Sequence, residues 1–89
     1  MSPKQRPEFK TGKERSQWIT DNAEYWRASA VINRRPFSEK HLTEAEATAA
    51  AKRLANTWRK PFMIYAVCGS EDTWVKNVFP GITNDERGR

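Results

Sequence analysis

Few residues of this chain combine the types that catalysis needs. The sequence contains one histidine and one cysteine, His41 and Cys68. As a base and a nucleophile they would need a third group to orient the base, and none stands at a recognisable spacing. Four carboxylates occur as close pairs: Glu44, Glu46, Glu71 and Asp72. Helix capping explains the first pair and a turn explains the second better than general acid–base catalysis does. We therefore expect a non-enzymatic protein without a metal or a cofactor.

Binding to an anionic partner is the chemistry that the composition favours. Sixteen Lys and Arg residues against 11 Asp and Glu residues give a net charge of +5, which suits nucleic acid, an acidic protein face or a membrane surface. Residues 1–15 carry five cations against two glutamates, a net charge of +3, and almost no apolar residues. These cations are Lys4, Arg6, Lys10, Lys13 and Arg15. We expect this segment to be a flexible basic arm.

Aromatic and cationic residues also recur at alternate positions of the predicted strands. One strand face would carry Arg27, Ser29, Tyr65, Trp74 and Lys76. Such a mixture can stack nucleic-acid bases and neutralise phosphates. The other interpretation, left open here, is that Trp18 and Ile19 fold over this face, so that Tyr65 and Trp74 form a second small core.

A further basic group falls on the predicted connection between the first strand and the helix. It contains Arg34, Arg35, Lys40 and His41. On a loop of about nine residues these side chains would cluster at one end of the domain, and loops on a rigid scaffold often carry function. Guanidinium groups suit phosphate or carboxylate partners, whereas the alternative is a solvated group of charges.

The elements that would position these residues are one helix and three strands. Residues 25–33 alternate as a strand does and end before Pro36. Thr43 begins a capping box with Glu46, which predicts a helix to about Trp58 with a buried stripe at residues 47, 51, 54 and 58. Residues 62–68 and 73–79 are predicted to form a β-hairpin across a Gly-Ser-Glu-Asp turn.

These elements predict an α+β fold, a single βαββ domain with a three-stranded sheet and one helix packed on one face. A right-handed crossover would place the first strand parallel to the second, in the order 1-3-2, with 1-2-3 as the alternative. The domain would span residues 16–81 after the arm at 1–15, and residues 82–89 would be a frayed polar tail. The predicted core is Trp26, Ala28, Ala30, Ile32, Ile64, Ala66, Val75 and Phe79.

The lone cysteine and the lack of a long apolar run indicate the compartment. One cysteine forms no intramolecular disulfide, which suits a reducing environment. Neither a signal peptide nor a membrane span is recognisable in the sequence. We expect a cytoplasmic protein without a membrane partner, in the host cytoplasm if a phage encodes it, and the sequence leaves its oligomeric state open.

The strand YWRASAVI, the helix TEAEATAAAKRLA and the hairpin strands MIYAVCG and TWVKNV together resemble small phage and mobile-element proteins. These include host-takeover inhibitors of RNA polymerase and anti-CRISPR proteins. The resemblance covers residues 25–79, is architectural, and transfers no functional residue. It implies a protein that docks on a host nucleoprotein complex, or another protein, and inhibits or modulates it. Many such inhibitors are acidic mimics of nucleic acid, whereas this chain is basic.

Two other functions stay open. In the first, the chain is a direct RNA- or DNA-binding accessory protein that uses the basic arm and the exposed strand face. In the second, it is a small structural subunit that the arm anchors in a larger assembly.

Overall fold

The computed structural model describes residues 7–81, which form two helices and four strands. In chain order these are α1 (Gly12–Asp21), β1 (Tyr25–Ile32), β2 (Arg35–His41), α2 (Glu44–Trp58), β3 (Phe62–Cys68) and β4 (Glu71–Val78). The strands form one antiparallel sheet in the order β2-β1-β3-β4. The α+β class is therefore confirmed, whereas the prediction of three strands and one helix is wrong.

Strand β2 replaces the long loop that the sequence predicted. Asn33 and Arg34 both have positive φ, 54° and 68°, and together make the two-residue turn that joins β1 to β2. Positive φ at both central positions is the signature of the type I′ turn, whose twist suits a hairpin. In a two-residue hairpin the residues that flank the turn, here Ile32 and Arg35, form a hydrogen-bonded pair. Pro36 therefore falls in the next, non-hydrogen-bonded pair, where its missing N–H faces away from β1.

The extra hairpin also corrects the strand directions. Strands β1 and β3 are antiparallel neighbours, with Trp26 opposite Ala66, so the predicted parallel pairing is wrong. The order of the three predicted strands is 1-2-3, the alternative, rather than 1-3-2. The helical crossover joins β2 to β3, which run parallel to each other on either side of β1. The crossover rule was applied to the wrong strand because β2 was missed.

Helix α2 begins where its capping box predicted. The Thr43 hydroxyl oxygen accepts a hydrogen bond from the Glu46 backbone N–H at 3.1 Å. Arg59 caps the carboxyl end of the helix, and its φ of 59° is left-handed. Four alanines of α2 are buried against the sheet: Ala47, Ala50, Ala51 and Ala55. Small side chains let the helix axis approach the sheet closely, and this places α2 across β1 and β3.

Most of the predicted core is buried, but Phe79 and Trp58 are exposed, and Val75 and Leu54 are only partly buried. The inward face of the sheet contributes Trp26, Ala28, Ala30, Ile32, Phe62, Ile64 and Ala66. Val75 is partly buried against them. Phe79 was predicted in the core, but it lies beyond the end of β4 and is 64% exposed. Trp58, predicted on the buried stripe, is the last residue of α2 and is 44% exposed.

Helix α1 begins inside the segment that was predicted to be a flexible arm. The Thr11 hydroxyl oxygen accepts from the Glu14 backbone N–H at 3.1 Å, which caps the helix. Ile19 is fully buried, and the Ser16 and Thr73 hydroxyls lie 2.7 Å apart, so α1 packs on β3 and β4. Residues 12–15 are thus helical, whereas residues 1–6 and the predicted tail at 82–89 lie outside the described residues.

Neither helix has the length and apolar character needed to cross a lipid bilayer, as far as residues 7–81 show.

Candidate binding surface on the open sheet face

The two helices pack on the same face of the sheet. Ile19 of α1 belongs to one core cluster with Trp26 and Ile64, to which α2 also contributes, and Trp18 packs against that cluster. The opposite face, which we call the open face, is covered by no helix of residues 7–81. The interpretation in which Trp18 and Ile19 cover Tyr65 and Trp74 is therefore wrong.

A single row of side chains crosses the open face on all four strands. Arg27 of β1 is the register partner of Lys40 on β2 and of Tyr65 on β3. Tyr65 in turn pairs with Trp74 on β4. With a strand spacing of about 4.8 Å, this central row spans about 14 Å. The structure thus brings together four of the predicted binding residues, two cations at one end and two aromatic rings at the other.

Arg27 is held in the middle of the central row by two neighbours. Its guanidinium donates to the Asp72 carboxylate at 2.7 Å. Its Cζ also lies 5.2 Å from the centre of the Tyr65 ring, within the range of a cation–π contact. Because the Arg27 and Asp72 side chains are 30% and 44% exposed, this ion pair adds at most about 1 kcal/mol to stability. Its main effect is to fix the guanidinium and neutralise part of its charge.

The rings of the open face are accessible to a partner. Trp74 is 52% exposed, and its indole N–H donates to the Asn77 side-chain oxygen at 2.9 Å. At the other end of the sheet, the Lys40 ammonium lies 4.5 Å from the centre of the Tyr25 ring. Tyr25 and Tyr65 are partly buried and each has a cation over its ring, so Trp74 is the most accessible of these three rings.

Lys76 does not share this face, contrary to the prediction. A β-bulge shifts the register between β3 and β4, so that Tyr65 pairs with Trp74 whereas Ile64 pairs with Lys76. The extra residue, Val75, places Lys76 on the helix side of the sheet. There its ammonium lies 3.2 Å from the Glu44 carboxylate at the start of α2. Strict alternation along β4 could not foresee this shift.

The expected cluster of loop cations is also not formed. Arg34 lies in the β1–β2 turn and Arg35 at the start of β2, whereas Lys40 and His41 lie at the far end of that strand. Lys40 lies five positions after Arg35 along the strand, a distance of about 17 Å. Only Lys40 joins the central row.

The predicted arm cations are divided. Lys4 and Arg6 lie outside the described residues. Lys10 and Lys13 are exposed near the start of α1. Arg15 forms an ion pair with Glu71 at 3.1 Å and so ties α1 to β4.

His41 and Cys68 are placed too far apart to act as a pair. They lie on β2 and β3, which are separated by β1 and thus by about 10 Å. The His41 imidazole instead lies 2.8 Å from the Glu39 carboxylate, and Cys68 is buried. No group of three or more His, Cys, Asp or Glu side chains in residues 7–81 is arranged to hold a metal ion.

Two residues beside the central row were not among the predicted site residues. Tyr25 and Asp72 also lie on the open face, beside the central row. Tyr25 lies two positions before Arg27, and Asp72 lies two positions before Trp74. The alternation of side chains along a strand therefore predicts that both lie on this face. Asp72 was instead assigned to the turn, because the start of β4 was placed two residues too late.

Comparisons of the chain with known protein families, with curated proteins and with solved structures find no match.

Proposed function

We propose that this chain is a non-enzymatic binding protein that engages single-stranded nucleic acid through the open face. The observation that carries the proposal is the central row, in which Tyr65 and Trp74 stand beside Arg27 and Lys40 in cross-strand register. Aromatic side chains on a sheet surface stack unpaired bases, and adjacent cations neutralise phosphates. A double helix, whose bases are already stacked, would be bound less well.

The experiment is a titration of labelled oligo(dT) and oligo(rU) with the wild-type protein and with Tyr65→Ala and Trp74→Ala. Stacking contributes about 1 to 3 kcal/mol per base, so each variant is expected to lose roughly 5- to 150-fold in affinity. Trp74→Phe keeps a ring and should retain most of the affinity. Leu42→Ala is the matched control, because Leu42 is also a large exposed apolar residue, 72% accessible, but lies between β2 and α2.

If the wild-type protein binds neither oligonucleotide, or if the ring variants bind as tightly as Leu42→Ala, the open face does not stack bases.

A protein partner is the second candidate, and the Arg27–Asp72 ion pair favours it. That pair leaves the open face with little net charge. Its exposed Trp74, with Tyr65, Met63 and Arg27 beside it, matches the residue types enriched at protein interfaces. In this proposal the chain docks on a host nucleic-acid-handling complex and inhibits or modulates it, as anti-CRISPR proteins do.

Asp72→Asn distinguishes the two candidates. For a nucleic-acid binder, removing the carboxylate releases Arg27 to contact phosphate, so oligonucleotide affinity should rise. For a protein docked through this face, oligonucleotide binding should stay weak in the wild type and the variant alike. Recovery of a nucleoprotein complex from host lysate should then be lost with Trp74→Ala and kept with Leu42→Ala.

A further inference from the structure

The strongest feature outside the central row is a concentration of cations at one end of the fold. The β1–β2 turn, the end of α2 and the start of β3 all lie at this end, because β1 and α2 both run toward it. We call it the basic pole, and it comprises Arg34, Arg35, Arg53, Arg59 and Lys60. The Lys60 ammonium donates to the Val31 carbonyl oxygen at 2.6 Å, which ties the end of α2 to β1.

The basic pole is not neutralised within residues 7–81. None of its five side chains forms an ion pair with a carboxylate there, and the ion pairs of the described chain involve other cations. At the opposite end of the fold, near the starts of β1, α2 and β4, lie five carboxylates: Glu24, Glu44, Glu46, Glu71 and Asp72. Three of these carboxylates have cation partners of their own, Glu44 with Lys76, Glu71 with Arg15 and Asp72 with Arg27. The basic pole has no such partners within residues 7–81, so it attracts a polyanion.

Two cations of the basic pole occupy unfavourable backbone positions. Arg34 and Arg59 have φ of 68° and 59°, in the left-handed region that favours glycine or asparagine. Glycine would serve the turn and the helix end better. The dipole of α2 favours cations at its carboxyl end, which accounts for Arg59 but not for Arg34 or Arg35. An arginine at position 34 that neither the turn nor the helix dipole accounts for suggests a role other than folding.

Exposed rings accompany these cations. Trp58 ends α2 and Phe79 follows β4, so both lie at the same end of the fold, and they are 44% and 64% exposed. Rings interleaved with cations that have no carboxylate partner in the described part of the chain match the requirements of single-stranded nucleic acid better than those of an acidic protein surface.

A shallow groove connects the basic pole to the central row. It is lined by Arg27 and Tyr65 at one end and by Val31 and Pro36, next to the β1–β2 turn, at the other. Ser29, Ser38 and Met63 form the stretch between them. From Arg27 to the end of β1 the path is about 17 Å long. A strand that stacks on Tyr65 can therefore continue along this groove to Arg34.

We infer that the basic pole, led by Arg34 and Arg35, binds the phosphate backbone of the single strand whose bases stack on the central row. The inference rests on the proposed function and deepens it, because it assigns the strand a path along the open face. Guanidinium groups give bidentate contacts to phosphate, which positions the strand without reading its sequence.

The test is the salt dependence of oligo(dT) binding. Each phosphate contact on a single strand contributes about −0.7 to the slope of log affinity against log salt concentration. The double variant Arg34→Gln/Arg35→Gln should therefore reduce the slope by about 1.4 if each side chain makes one contact. Lys52→Gln/Lys76→Gln is the matched control, because it removes the same charge from the helix side of the sheet, outside the basic pole and the open face.

Oligonucleotide length supplies an independent readout. Oligo(dT) too short to reach from Trp74 to Arg34 should bind the wild type and the arginine double variant equally, and the difference should appear as the length increases. Arg34→Lys/Arg35→Lys keeps the charge and should restore most of the slope. Thermal unfolding of each variant verifies that it is folded.

The possible results separate this inference from the proposed function. If Tyr65→Ala and Trp74→Ala weaken binding while the arginine double variant behaves like its control, the basic pole is not on the strand's path and the inference is overturned alone. If the wild type fails to bind oligo(dT), both are overturned. A reduced slope that appears only with long oligonucleotides supports the inference.

Discussion

Arg34 has a backbone conformation that arginine does not favour. Its φ of 68° lies in the left-handed region, which costs a residue with a Cβ about 1 to 2 kcal/mol relative to the ordinary helical conformation. The preceding residue is Asn33, so that a glycine at position 34 would create Asn-Gly, the pair most favoured in a type I′ turn. The arginine is therefore not explained by the turn.

Arg34→Gly should accordingly raise the free energy of unfolding by about 0.5 to 1 kcal/mol, part of the relief being offset by the greater freedom of glycine in the unfolded chain. Urea denaturation measures this change. Arg34→Lys is the control, because it keeps the Cβ and should leave stability within about 0.5 kcal/mol. If the basic pole binds phosphate, the same glycine variant should also bind oligo(dT) less tightly. A glycine variant less stable than the wild type would contradict the assigned turn.

At the scale of elements, the sequence predicted those whose signals are strong and local. Helix α2 has a capping box and a buried stripe, and its start was predicted correctly. The sequence Thr11-Gly12-Lys13-Glu14 offers the same kind of cap, with Thr11 and Glu14 at the required spacing, and α1 begins there. This signal was overlooked because polar residues and a glycine surround it.

Strand β2 and the β4 bulge were harder to foresee. Strand β2 lies at an edge, and of its inward positions only Phe37 is apolar, whose ring packs edge-on against Phe62 at 5.9 Å. The sequence of an edge strand with charged residues and a proline resembles that of a loop, because apolar and polar residues do not alternate along it. The bulge depends on pairing between strands and has no local signature. The candidate site was consequently predicted in its central members and wrong at Lys76.

The alanines of α2 provide a test of the helix–sheet packing. Ala51 is fully buried against the sheet, whereas Ala49 is exposed on the same helix. Ala51→Leu should lower the free energy of unfolding by about 1 to 3 kcal/mol, because the added atoms force α2 away from the sheet. Ala49→Leu should change it by less than about 0.5 kcal/mol, because helix propensity is nearly the same. Chemical denaturation compares the two variants. Equal effects would contradict the assigned face of α2.

For the whole molecule, the boundary between the arm and the domain decides which truncations are informative. Helix α1 contributes Ile19 to the common core and joins β4 through Arg15 and Ser16. Removing residues 1–15 would delete the Thr11 cap and the first turn of α1, leaving six helical residues, too few to be stable without their tertiary contacts. Loss of binding after that deletion would report unfolding as readily as loss of charge.

Deletion of residues 1–6 is the informative truncation, because it removes Lys4 and Arg6 and keeps every described residue. Deletion of residues 1–15 should lower the free energy of unfolding by about 2 kcal/mol or more through lost capping and loosened burial of Ile19. Thermal unfolding of the shorter truncation verifies that it is folded. If both deleted cations contact phosphate, the salt slope for oligo(dT) falls by about 1.4 in the shorter truncation. If the open face and the basic pole make most of the phosphate contacts, the six-residue deletion should change the salt slope much less than the double variant Arg34→Gln/Arg35→Gln does. Abolition of binding by the six-residue deletion, in a protein that melts normally, would transfer the principal site to the amino-terminal segment and contradict the role assigned to the central row.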